Sequence, residues 1–277
     1  KTIYSSLRIE GNTLTEEQIT AIIDNKRVIG PKEDILEVRN AIEVYDHLEQ
    51  YDPFSAASFL SAHGVLMKGL IEKPGRYRTE NVGILQGDKV AHLAPPAGKV
   101  DYLMNELFTY LKESDDLLLI KSCVFHYEVE FIHPFLDGNG RMGRLWQSVI
   151  LSREYPVFTY LPFETLISAT QQQYYEVLGE SDRKDKSTVF IEYMLEVIDQ
   201  SLAELLSIGN RAMNQKDRLR YFHFMNITSF SRKDYMEVFK DISSATASRD
   251  LQQGVKMGLL EKTGDKRNTV YRYKEVV

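Results

Sequence analysis

The sequence predicts a mainly all-α protein: a helical body broken by one short β-hairpin, followed by a smaller helix–turn–helix module with a two-stranded wing. Three observations predict it. Apolar residues recur at helical spacing through most of the body, as in Ile35, Val38, Ala41, Val44 and Leu48. The pattern becomes apolar–turn–apolar only around Gln86-Gly87-Asp88-Lys89. Charge also divides the chain: residues 211–277 hold 14 Lys and Arg against 8 Asp and Glu, whereas residues 1–210 hold 20 against 32. A basic tail on an acidic body indicates two modules with different partners.

The elements follow in order. Thr15 and Gln18 form a capping-box pair, so a helix begins there. Gly30-Pro31 separates it from a second helix that Pro53 closes. A third is predicted over Ser55–Leu70, ending before the turn Lys73-Pro74-Gly75. The apolar stretches Val82–Leu85 and Val90–Leu93 flank the hairpin turn. Helical periodicity resumes over Val100–Leu111 and Asp116–Phe131, is interrupted at Gly138–Gly143, and returns over Arg144–Ser152, Phe163–Leu178 and Ser187–Ile208. In the tail, Arg232–Lys240 and Ala245–Met257 read as helices around a turn. Gly258-Leu259-Leu260 leads into a strand, and Thr269–Tyr273 returns as its partner across a polar loop. The expected division is 1–30, 31–210 and 211–277.

Bulk properties narrow the function. A hydrophobic fraction of 43% and a charged fraction of 27% over 277 residues describe a soluble globular chain with an ordinary core. The single cysteine, Cys123, excludes an intrachain disulfide, and a reducing cytoplasm is expected. No apolar run approaches the roughly 20 residues of a membrane helix, so no membrane partner is expected. The chain begins at Lys1 rather than Met, so an upstream segment is left open.

The most informative run is His133-Pro-Phe-Leu-Asp137-Gly138-Asn139-Gly140-Arg141-Met-Gly-Arg144. A histidine serves as general base near neutral pH. A carboxylate four residues later can hold Mg²⁺, which takes one or two protein carboxylates plus phosphate oxygens. Gly138-Asn139-Gly140 can bend so that backbone N–H groups converge on an anion, and a helix opening near Arg141 aims its positive end there. Arg141 and Arg144 share a helical face and offer forked donors to phosphates. Together these form a phosphoryl- or nucleotidyl-transfer kit.

Two rival readings fail. Gly138-x-Gly140-x-x-Gly143 matches a dinucleotide fingerprint, but that motif needs a preceding strand and Leu117–Phe131 reads as a helix. Cys123-x-x-His126 near His133 lacks the second ligand pair of a structural zinc site, and core packing is favoured for both. A plain helix–helix loop explains the glycines alone, not the base, acid and arginines around them.

The run resembles, without a gap, the Fic signature His-x-Phe-x-(Asp/Glu)-Gly-Asn-(Gly/Lys)-Arg-x-x-Arg, and the similarity extends over roughly 5–205, including Pro74-Gly-Arg-Tyr-Arg78, the hairpin and His126-Tyr-Glu128. The resemblance implies Mg²⁺-dependent transfer of AMP from ATP to a Ser, Thr or Tyr hydroxyl of a target protein that the sequence does not name. It implies His133 as base, Phe135 as loop anchor, Asp137 as the Mg²⁺ ligand, and Gly138, Asn139 and Gly140 as the anion hole. Arg141 would stabilise the leaving pyrophosphate and Arg144 would meet the γ-phosphate. Val82, Gly83, Ile84 and Leu85 would belong to a flap that aligns the target as an added strand. One of Tyr174 and Tyr175 would lie near the adenine, with packing an equal account of both. UTP, GTP and phosphocholine donors stay open.

Ser6-Leu-Arg-Ile-Glu10-Gly11 resembles the family's inhibitory motif (Ser/Thr)-x-x-x-Glu-(Gly/Asn), and a helix end closed by Gly11 is the plainer account. The resemblance implies that Glu10 pairs with Arg144 where the γ-phosphate belongs, making 1–30 an inhibitory helix region. In some relatives the matching glutamate instead helps remove AMP, so both directions stay open. A third reading is a DNA-binding regulator whose Fic-like body senses nucleotide. Residues 211–277 read either as a structural or dimerisation appendage or as a DNA contact, with Arg249, Lys262, Lys266 and Arg267 favouring DNA and Asp250 and Gly254 counting against it. The resemblance also implies a homodimer.

Overall fold

The computed structural model describes residues 2–86, 89–159, 161–212, 215–225, 227, 229–240, 242–264 and 269–274; within 84–93, 207–212, 216–217, 220 and 223–224 it describes the backbone alone. The chain divides into two compact units, Lys1–Ser201 and Leu202–Val277.

The first unit is helical: α1 (Thr2–Ile9), α2 (Glu16–Ile23), α3 (Lys32–Asp46), α4 (Ala56–Leu66), α5 (Val100–Glu113), α6 (Leu118–Ile132), α7 (Asn139–Glu154), α8 (Phe163–Ala169), α9 (Gln171–Lys184) and α10 (Thr188–Ala212), which runs on into the second unit. The Thr15–Gln18 capping box is present with both reciprocal bonds. α4 ends at Leu66, short of the expected Leu70: Gly69 turns left-handed (φ 75°), and buried Asn40 Nδ2 donates to Leu66 O (3.1 Å) and to Lys68 O (2.9 Å) just past the helix. The expected helix at Phe163–Leu178 is two. At the break, the Thr170 hydroxyl bonds back to Leu166 O (2.8 Å) and meets the Tyr193 hydroxyl (2.8 Å), competing with the regular helix ladder.

The interruption expected across Gly138–Gly143 is shorter than the glycines suggest. Only His133–Gly138 leaves the helix, and Gly140 and Gly143 lie inside α7. The element before the loop is α6, so the dinucleotide fingerprint lacks its strand. A core of α1–α7 side chains surrounds the loop and includes Leu7, Val38, Phe59, Phe125, Phe135 and Trp146. Phe59 is its hub, with Phe108, Phe125, Phe135 and Trp146 at 5.0–5.8 Å between ring centroids. The hairpin β1 (Gly83–Gln86) and β2 (Lys89–Leu93) is antiparallel with an irregularity between Ile84 and Leu85; its turn, Gly87-Asp88, lies outside the described residues.

The second unit holds α11 (Gln215–Phe224), α12 (Arg232–Val238), α13 (Ser244–Lys256) and the antiparallel pair β3 (Leu260–Thr263) and β4 (Val270–Tyr273). α11 is absent from the sequence reading. Its inward face carries Arg218 beside Leu219, which breaks the apolar stripe, and Arg218 is neutralised by Asp250 of α13 at 2.6 Å. Gly254 is a packing residue, since a Cβ there would stand 2.7 Å from Leu260 Cδ1. Lys266 and Arg267 lie outside the described residues. No helix among the described residues is long and apolar enough to cross a membrane.

Candidate active site

The α6–α7 loop carries the site. His133 closes α6 in a left-handed conformation (φ 51°, ψ 61°) that costs a non-glycine residue about 1–3 kcal/mol. Its neighbours hold it there. Buried Arg78 donates to His133 O (2.7 Å), Ile132 O (3.2 Å), Glu80 O (2.8 Å) and Pro95 O (2.6 Å), while its own N–H bonds Pro134 O (2.8 Å). One guanidinium thus ties the His133 backbone to both chain segments that flank the hairpin. His133 Nδ1 lies 3.3 Å from Glu130 O, and a proton on Nδ1 in that contact leaves Nε2 as the basic nitrogen.

Phe135 is fully buried and stacks face to face on His63, with ring centroids 3.6 Å apart and planes 4° apart. His63 Nδ1 accepts from Gly75 N (2.8 Å), so its proton is on Nε2, which donates to Asp137 O (3.0 Å). Burial pushes this imidazole down to about 4, so it stays neutral and braces the loop. Asn139 acts from within the loop. Its Oδ1 accepts from Phe135 N (2.8 Å) and its Nδ2 donates to Phe135 O (3.0 Å), with the side chain buried. Gly138 sits at φ 87°, and a Cβ there would meet Met67 Sδ at 2.8 Å, so both backbone and space demand glycine.

α7 begins at Asn139, which leaves its first-turn N–H groups without intrahelical acceptors and open to an anion. Arg141 rises from that turn and Arg144 from the next. Arg141 pairs with Glu37 of α3 and with Asp137 (2.9 Å). Asp137 is 56% exposed and its Oδ1 also accepts from Gly138 N (2.5 Å). Among the described residues no cluster of three or more His, Cys, Asp or Glu could hold a metal. A single half-exposed carboxylate suits Mg²⁺ arriving with phosphate and water ligands, not a resident ion caged by protein.

Arg144 is fully buried. Nη2 donates to Glu10 Oε1 (2.6 Å) and Ser6 O (3.1 Å), and Nε to Ser6 Oγ (3.2 Å). Burial works against its charge, but Glu10, Tyr174 and Glu130 outweigh it and raise the guanidinium above its ordinary value. A Cβ on Gly140 would stand 2.7 Å from Glu10 Oε1, so the Glu10 carboxylate rests against the first turn of α7, where an anion would sit. Gly11 (φ 93°) ends α1 in a Schellman motif: Asn12 N bonds Leu7 O and Gly11 N bonds Arg8 O, both at 3.1 Å. The helix-end account of Gly11 and its place in the motif are therefore one feature.

The two tyrosines diverge. Tyr174 is 1% exposed, its hydroxyl set between Glu130 Oε1 (2.9 Å) and His126 Nε2 (3.0 Å). Burial alone would raise the Glu130 carboxyl, but His126, Arg144 and His133 hold it at about 2. Tyr175 is 41% exposed, and its partial burial first and the Glu10 charge second raise its phenol. Cys123 and His126 are both core residues, and burial pushes the Cys123 thiol up to about 12. Val82 precedes β1 and Gly83 opens it; the side chains of Ile84 and Leu85 lie outside the described residues.

His63, Glu37, Glu130 and Glu164 escaped the sequence reading. Polar residues on helix faces otherwise apolar were the available signal. Glu164 of α8 is fully buried; Oε1 accepts from Tyr45 Oη (3.2 Å) and Oε2 has no hydrogen-bond partner. Burial pushes this carboxyl up to about 7, against opposing pulls that include Arg144 and Tyr45. The folded value exceeds the unfolded one, so stability from the protonated group is complete below the ordinary carboxylate range and is lost as pH rises through about 7. Glu164→Gln should therefore raise Tm over the parent by a few degrees near pH ~8 and by much less near pH ~5. Thermal denaturation at both values checks this, and equal shifts would contradict it.

Residues 53–151 match the Fic/DOC family. The whole chain superposes on a crystal structure of a Fic family protein from Desulfovibrio desulfuricans G20, with TM-score 0.73 and 39% identity, covering 100% of this chain and 86% of that one. Curated relatives include protein adenylyltransferase Fic of Nematostella vectensis, 28% identical over 66% of this chain and 43% of its own length. Protein adenylyltransferase fic-1 of Caenorhabditis elegans is 27% identical over 72% of this chain and 40% of its own length. The chain thus spans about two fifths of the length of those relatives. A gapless loop signature, its anchored geometry and an end-to-end likeness to a solved member agree: the chain belongs to the Fic family.

Proposed function

We propose that this chain is a protein adenylyltransferase that moves AMP from ATP to a protein hydroxyl and is restrained by Glu10. The observation that carries the reading is the pairing of Glu10 with Arg144 against the turn where α7 opens toward an anion. The names of the curated relatives point to the same activity.

His133 Nε2 takes the proton of the target hydroxyl as its oxygen bonds the α-phosphorus, and the bond from that phosphorus to the β-bridging oxygen breaks. Pyrophosphate leaves. The first-turn N–H groups of α7 receive the α-phosphate oxygens, Arg141 faces the leaving charge, and Arg144 meets the terminal phosphate once Glu10 withdraws. Asp137 would hold Mg²⁺, which neutralises phosphate charge when bound. The open edge of β1–β2 would align the target backbone, and Tyr175 is the better placed tyrosine for the base. The domain assignment we favour keeps 1–30 as an inhibitory region.

The test incubates parent, Glu10→Gly and Glu10→Gly/His133→Ala chains with ATP and Mg²⁺ and weighs each intact. An adenylyl mass only in the single variant supports the reading. Labelling that survives loss of His133, or none in any variant, overturns it. A variant that loses an existing AMP-removing activity would reverse the direction of the reaction.

A second reading concerns residues 211–277. Asp250, which counted against DNA contact, is turned inward onto Arg218, so the exposed positions Arg249, Gln252 and Lys256 of α13 carry no acid among them. Arg249→Ala/Lys256→Ala should weaken duplex DNA binding uniformly across sequences and flatten its salt dependence by about two charges. Absence of salt-sensitive binding in the parent removes this reading.

A further inference from the structure

Arg141 is held differently from Arg144. Glu37 of α3 gives Oε1 to Arg141 Nη1, and its Oε2 accepts from Asn12 Nδ2 at 2.7 Å. Asn12 is fixed on all sides: Nδ2 also reaches Asp34 O (3.2 Å) and Oδ1 accepts from Leu14 N (3.1 Å). Next to it, Thr13 N donates to Asp34 Oδ2 (2.8 Å). The segment just past Glu10 is therefore stitched to the first turn of α3, and through one carboxylate to α7.

We propose that Glu37 is a positioning residue for Arg141 and that, through Asn12, it latches the Glu10-bearing segment to α7 at this second arginine. This rests on the reading of 133–144 as the ATP site and adds its regulation. Both arginines that would meet phosphates are then held from the N-terminal side, one by Glu10 directly and one through Asn12 and Glu37. Releasing Glu10 alone leaves the segment tethered. The relay needs two acceptor oxygens on one side chain, and a carboxylate has two where an amide has one. Arg141 is also shared with Asp137, so Glu37 keeps the guanidinium from closing fully on the carboxylate expected to meet the cation. Burial pushes the Glu37 carboxyl up, Arg141 and Asn12 pull it down, and Asp34 and Asp137 push it up again.

The experiment uses the full chain with Asn12→Ala and, separately, Glu37→Gln, each alone and with Glu10→Gly. Amide hydrogen exchange of 2–14 is followed by mass spectrometry, and ATP binding without divalent ion is followed by calorimetry. Both variants should speed exchange over 2–14 by about fivefold or more, the effect of losing one charge-assisted bond, with 139–154 unchanged. Glu37→Gln should also tighten metal-free ATP by about three- to tenfold, since a negative charge beside Arg141 is gone. Parent-like exchange over 2–14 in both variants overturns the latch. Equal acceleration over 139–154 overturns it too, because Glu37 would then be a general prop. Exchange does not depend on AMP transfer, so a chain that never takes AMP refutes the function without touching the latch.

Discussion

Glu10→Gly should raise AMP incorporation by about a hundredfold or more over the parent under matched ATP and Mg²⁺. The Glu10 carboxylate lies 2.6 Å from Arg144 Nη2 and against the first turn of α7, the place a phosphate needs. Two anions cannot share it. On the proposed reading, phosphates would dock displaced from in-line geometry while Glu10 is in position, and a misplacement on the order of 1 Å costs about that factor. The change also leaves a buried arginine short of its partner. Removing one member of a buried pair costs up to about 3–5 kcal/mol, and the 25% exposure of the Glu10 side chain places the cost at the lower end. The variant should therefore be faster yet melt earlier, and saturating ATP should restore part of its Tm. Initial labelling rates and thermal denaturation with and without ATP check both. Equal labelling of parent and variant sinks the brake.

Arg78→Ala, made in the Glu10→Gly background, should lower kcat by about a hundredfold with a much smaller change in KM for ATP. Arg78 contacts the carbonyls of Ile132, His133, Glu80 and Pro95, not the arginine face of α7. Its loss leaves buried carbonyls unpaired at roughly 1–3 kcal/mol each where water cannot enter. It also frees His133 from a left-handed conformation that its surroundings impose. The base should drift while the nucleotide site stays whole, which is why kcat should move first. Arg78→Lys should rescue little, since an ammonium cannot span four carbonyls in the plane of a guanidinium. Steady-state kinetics well below the variant's Tm decide the matter. Unchanged kcat in a folded variant means that the clamp does not position the base.

Much of this site was legible because its chemistry is contiguous. His133, Asp137, Arg141 and Arg144 sit at fixed spacing on one loop and one helix turn, so local geometry carries them together. The Thr15–Gln18 cap and the hairpin strands were legible for the same reason, since their hydrogen bonds join near neighbours. The end of α4 was not, because the carbonyls that leave its helix ladder are met by Asn40 from another helix. Nor was α11, whose buried Arg218 disguises an inward face until Asp250, 32 positions later, neutralises it.

By itself, the sequence determined the helical class, the loop that carries His133 and Asp137, and the acid that meets Arg144. Only the tertiary structure decided how those parts are held. It seated Glu10 against Gly140, brought Arg78 beneath His133 from 55 positions away, stacked His63 on Phe135, and placed Glu37 on Arg141 across 104 positions. It also separated Tyr174, sealed in the core, from Tyr175, which faces outward. The physical reason is that spacing along a helix constrains neighbours within a turn or two. Pairings between distant segments depend on how whole faces pack, and a buried charge reveals its partner only when that packing is known.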